Sequence, residues 1–63
     1  MKNFIVSYKH NEVYQALIVK AESLDAAENF FKNYMPDAIL YGVREQSDIS
    51  EELKKGMPII TAK

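Results

Sequence analysis

The chain has 63 residues, 8 basic and 9 acidic side chains for a net charge of −1, 48% hydrophobic residues, one histidine and no cysteine. Such a length makes a single domain, residues 1–63, that buries only about 60% of the surface its unfolded chain exposes. The composition excludes a disulfide framework and argues against a Cys/His metal site, a strongly basic nucleic-acid binder and a disordered chain.

Lys2–Lys9 alternates apolar and polar residues and is rich in aromatic and β-branched types, which predicts a strand. His10-Asn11 is the expected turn, since Asn tolerates a positive φ. Glu12–Ala21 is then the return strand, with Lys9 opposite Glu12 and partner numbers summing to 21. In that register one face carries Phe4, Val6, Tyr8, Val13, Leu17 and Val19, with Gln15 its lone polar member. The other face carries Ile5, Tyr14, Ala16 and Ile18, with Ser7 and Lys20. Both faces are apolar, and one helix covers only one of them.

Ser23 is placed to cap a helix over Leu24–Tyr34, and Asp25 lies near its positive end. Leu24, Ala27, Phe30, Phe31 and Tyr34 form its apolar stripe, and Glu28 precedes Lys32 by one helical turn. Pro36 stops the helix and forces Met35 out of the α region. A third strand is expected over Ile39–Arg44, with Ile39, Tyr41 and Val43 facing inward. Gly42 inside it suggests a bulge or a close backbone approach.

Asp48 and Glu51 have capping-box spacing for a short second helix, with Ile49 and Leu53 as its apolar stripe and Gly56 ending it. Pro58 restricts Met57–Thr61 to an edge strand or an extended tail. The fold class is therefore α+β: a small antiparallel sheet with one main helix packed on one face, in the order ββαβ, then a short helix and a final extended segment. If the third strand lies beside the first, the sheet order is 2-1-3, with a right-handed crossover through the helix.

The chemistry of catalysis is thin. The only histidine, His10, sits at the expected turn, and nothing supplies an oxyanion hole for Ser7, Ser23, Ser47 or Ser50. No run has calcium or zinc ligand spacing, and Gly42 and Gly56 are too far apart for a phosphate loop. The expectation is a protein that is not an enzyme, with no cofactor and no metal. The apolar runs are too short to span a bilayer, and Met1-Lys2 is not followed by a signal-peptide core, so a cytoplasmic location is expected.

The run Ile18–Ala27, closing a strand and opening a helix, is similar to a pattern in many small proteins of phages, plasmids and bacterial genomes. It encodes a strand-to-helix junction and no activity.

The second sheet face carries the functional expectation. It must be covered by the chain's own tail or by a partner. The expected function is a small intracellular binding or accessory module acting by protein–protein contact, including self-association as a homodimer, through that face or a sheet edge. The candidate contact residues are Ile5, Tyr14, Ala16, Ile18 and Leu40, rimmed by Lys20 and Arg44. The alternative is single-stranded nucleic-acid binding on the same face, with bases stacked on Tyr14.

Overall fold

The computed structural model describes residues 1–62. The elements are β1 (Lys2–His10), β2 (Val13–Ala21), α1 (Leu24–Tyr34), β3 (Ile39–Glu45), α2 (Ser50–Lys54) and β4 (Ile59–Thr61). They build one four-stranded sheet in the order β3-β1-β2-β4, an α+β fold. β1 pairs antiparallel with β2 and with β3. The last strand runs parallel to β2, with Ile18 opposite Ile59, so the sheet is mixed and not purely antiparallel. No helix among the described residues is long and apolar enough to cross a membrane.

The hairpin turn is Asn11-Glu12, one residue later than the sequence indicates. Both residues have positive φ, 52° and 65°. That is the backbone of a type I′ turn, whose twist matches its flanking strands. Asn11 suits the first left-handed position, whereas Glu12 is a poor residue for the second, which hides the turn in the sequence. His10 therefore pairs with Val13, Phe4 with Val19 and Tyr8 with Gln15, and partner numbers sum to 23 instead of 21. Lys9 lies opposite Tyr14, not Glu12. Because the sum changes by two, every side chain keeps its face.

The first face is the core. Phe4, Val6, Tyr8, Leu17, Val19 and Ala21 pack with Ala27 and Phe31 of α1. The Tyr8 and Phe31 ring centroids are 4.9 Å apart. Gln15, the polar member of this face, accepts a 2.8 Å hydrogen bond from the Tyr8 hydroxyl. Burial of Tyr8 and the neighbouring Tyr34 push the Tyr8 phenol above its ordinary value.

Local rules set α1. The Ser23 hydroxyl accepts from the Ala26 N–H at 3.1 Å, and Lys32 meets Glu28 at 3.0 Å. The Met35 N–H closes the last turn on Phe31 O, and the chain leaves at Pro36. The buried stripe is narrower than the sequence suggests. Ala27 and Phe31 are buried and Phe30 is half-buried, while Leu24 and Tyr34 lie largely in solvent.

Two links hold the segment after β3. The Gln46 N–H donates to Asn3 O at 2.9 Å, and Pro58 O accepts from the Ile18 N–H at 2.8 Å. The segment thus starts at the β3 edge and ends at the β4 edge. With α1 on the first face, its path runs over the second. The two crossovers travel in opposite directions on opposite faces and so have the same hand; the right hand is the rule for such connections. α2 ends in a Schellman motif. Gly56 has φ 78°, its N–H bonds Leu53 O, and the Met57 N–H bonds Glu52 O. At its start, Asp48 Oδ1 accepts from the Ser50 N–H at 3.0 Å, which holds the Asp48 carboxyl below its ordinary value. Ile49, not Asp48, occupies the N-cap position, so the expected capping box is replaced by this local turn.

Candidate functional site

The second sheet face divides into two halves. In the half under the α2 crossover, Ile5 is buried and Ile18 is 0% exposed. Both were candidate contact residues, and the structure makes them core instead. The sequence leaves the tail looking too short to cover them; the topology supplies the cover by carrying residues 46–58 from one sheet edge to the other. Within this cover the buried residue is Glu52, 7% exposed, not Leu53 of the expected stripe. Gln46 Nε2 donates to Glu52 Oε1 and to Asp48 O, both at 3.0 Å, which ties the crossover to itself.

The other half, toward the hairpin turn, is open. A bulge in β3 builds it. Ser7 pairs with Gly42 and Tyr8 with Leu40, which leaves Tyr41 without a partner in β1. A bulge re-aims the side chains that follow it. Leu40 consequently turns to the first face and packs on the core, so it is not a contact residue of the second face. Ile39 and Tyr41, expected inside, stay outside and are exposed, and only Val43 of the expected inner set packs on the core. Gly42 signals the bulge in the sequence, but not which residues it exchanges.

The bulge brings Tyr41 to Tyr14. Strands two apart are separated by about 10 Å, yet the ring centroids of Tyr14 on β2 and Tyr41 on β3 are 5.5 Å apart, with planes at 40°. The rings therefore arch over β1. Tyr14 is 70% exposed and Tyr41 56%. Lys9 Nζ sits 5.2 Å from the Tyr14 ring centroid, a cation–π contact. The Tyr14 phenol is held above its ordinary value, chiefly by the neighbouring Tyr41 hydroxyl and then by desolvation.

Below the rings lies a row of small residues. Ala16, Ser7 and Gly42 are register partners across β2, β1 and β3. Ser7 and Ala16 floor a depression of about 380 Å³, lined also by Tyr8, Tyr14, Gln15 and Tyr41, and Gly42 continues their row toward the β3 edge. A Cβ built on Gly42 would meet nothing within 4 Å. Among the described residues, the strand positions of this face carry Lys9, Lys20 and Arg44 and no carboxylate. Lys20 and Arg44 are exposed, and Ala16 is half-buried.

A larger groove, about 600 Å³, runs beside α1, where Met1, Ala21, Ala26, Phe30, Tyr34 and Ala62 meet. It exists because a helix about 10 Å across cannot cover four strands spaced about 4.8 Å apart. Its polar lining is Glu22, Asn29 and Asn33, and Asn33 donates to Asn29 O. No group there is arranged to select a ligand. Neither a family model, nor a characterised protein, nor a solved structure matches this chain.

Proposed function

We propose that this chain is a small binding module with no catalysis of its own, which docks a protein partner on the open half of its second sheet face. One observation carries this reading: two tyrosines, 70% and 56% exposed, are paired on a face whose other half buries Ile5 and Ile18. Exposed aromatic clusters of this kind mark interaction sites, and Tyr is enriched among residues that anchor them. The sheet edges are weaker candidates. β3 is interrupted by its bulge and β4 has three residues, both devices that blunt an edge.

A photo-crosslinking side chain at Tyr41, compared with one at Lys32 on the outer surface of α1, tests the reading in cells. A discrete protein adduct from position 41 that is absent from position 32 and lost on Tyr14→Ala supports it. Equal adducts from both positions, or none from position 41, contradict it.

The rival reading is single-stranded nucleic acid, which would use the same ring pair with Lys9, Lys20 and Arg44 against phosphates. The two differ in salt response, since phosphate contacts weaken steeply with added salt and apolar contacts do not.

A further inference from the structure

We infer that the segment recognised by this face is an extended acidic peptide of the pattern acid–x–aromatic–x–acid, with its ring in the depression over Ala16 and Ser7, beside Gly42. The inference rests on the protein-docking reading above and names the partner's chemistry.

The floor of the depression is the observation that asks for a ring. Three small residues fall in one register row, and there is open space above Gly42. On one side stand the tilted rings of Tyr14 and Tyr41. Across the row lies the part of the face closed by the crossover. A third aromatic ring entering here meets the first two in offset or edge-to-face geometry, which aromatic groups prefer over a flat sandwich. An aliphatic side chain would fill the space without using those wall rings.

The charges set the flanks. Lys9 lies two residues beyond Ser7 on β1, and Arg44 two residues beyond Gly42 on β3. Because β1 and β3 are antiparallel, these two cations fall on opposite sides of the small-residue row. Each is displaced from it by about 7 Å along the strands. An extended chain repeats its side chains on one face at that same interval, about 7 Å for every second residue. A ring over Ser7, in the same row as Gly42, thus places the side chains two residues before and two residues after it near Lys9 and Arg44. Carboxylates satisfy both, and among the described residues neither Lys9 nor Arg44 is in an ion pair.

A second copy of this chain does not supply the ligand. None of its seven aromatic residues has an acidic residue at both the second position before and the second after it.

The test titrates the full chain, isotopically labelled, with a short synthetic peptide carrying Glu-Gly-Trp-Gly-Glu. Amide shifts are expected to move at Ser7, Lys9, Tyr14, Tyr41, Gly42 and Arg44 and to stay fixed on α1. Replacing both peptide glutamates by lysine, or its tryptophan by alanine, is expected to weaken binding by about tenfold or more, the scale of losing charge-assisted or hot-spot contacts. Gly42→Val raises a branched side chain beside the depression, at a position where nothing clashes, so the variant is expected to keep the native spectrum of Phe31 and Val19 and lose the peptide. Equal binding of the three peptides, or full binding by Gly42→Val, overturns the inference. So does a single-stranded oligothymidylate that moves the same amides more tightly than the peptide, which would assign the face to nucleic acid. If the peptide fails while position 41 still crosslinks to a protein, the partner chemistry is wrong and the docking face stands. If both fail, the docking reading falls too.

Discussion

The two faces of this sheet start from similar strand chemistry and end differently. The first is closed by an eleven-residue helix that sets Phe31 and Ala27 onto Phe4, Val6, Leu17 and Val19. The second is crossed by a segment whose helix has five residues, enough to bury Ile5 and Ile18 but not to reach the hairpin end. What the short cover leaves bare is not left at random. The β3 bulge sends Leu40 to the core and brings Tyr41 out to Tyr14, so the uncovered half carries paired aromatics, small residues and Lys9. Closure and exposure of one apolar face are decided here by the length of a connection and by one extra residue in a strand.

The comparison is most easily broken at its strongest point. Phe31→Ala empties the centre of the first face, and a loss of about 3–5 kcal/mol is expected in chemical denaturation. An unchanged midpoint would mean that α1 does not pack by this stripe. Ile18→Ala probes the covered half of the second face. If the crossover closes over it as described, the cost is about 2–4 kcal/mol, within the range for buried Ile truncation. A change below about 0.5 kcal/mol, typical of surface sites, would make both halves of this face equally open.

Smaller effects sharpen the picture at the hairpin. Glu12 holds a left-handed backbone at φ 65°, a strained conformation for a residue with a Cβ. Glu12→Gly supplies the preferred partner of Asn11 in a type I′ turn, and a gain of up to about 1 kcal/mol in unfolding free energy is expected. A loss instead would place the turn at His10-Asn11. Tyr14→Ala is expected to change stability least, within about 0.5 kcal/mol, because its ring is mostly in solvent. A large destabilisation there would recast the tyrosine pair as structure, not surface.

Much of this was legible in the residues. Ser23 and Pro36 bracket α1 at the bounds it adopts, and period-two alternation assigns both faces of the hairpin correctly. A turn placed one residue early shifted the register by two, which preserved parity, so the facing survived an error in pairing. Other features were not local properties of the chain. That β4 pairs with β2 on the far side from β3 is set by long-range packing, and this alone draws residues 46–58 across Ile5 and Ile18. Gly42 pointed to a bulge, but its consequence depends on register with β1: simple alternation puts Tyr41 inside and Leu40 outside, and one unpaired residue reverses both. Of the candidate contact residues, Tyr14, Ala16, Lys20 and Arg44 stay at or near the surface, Ile5, Ile18 and Leu40 are taken into packed interiors, and Tyr41 joins through the bulge.

That reversal is the central claim, and proton NOEs among the aromatic rings test it most directly. The bulged strand predicts NOEs between the Tyr14 and Tyr41 rings, whose centroids are 5.5 Å apart, together with contacts from the Leu40 methyl groups to the first-face core. NOEs from the Tyr41 ring to Phe31 or Val6, with none to Tyr14, would mean an unbroken β3, and the open site on the second face would not exist.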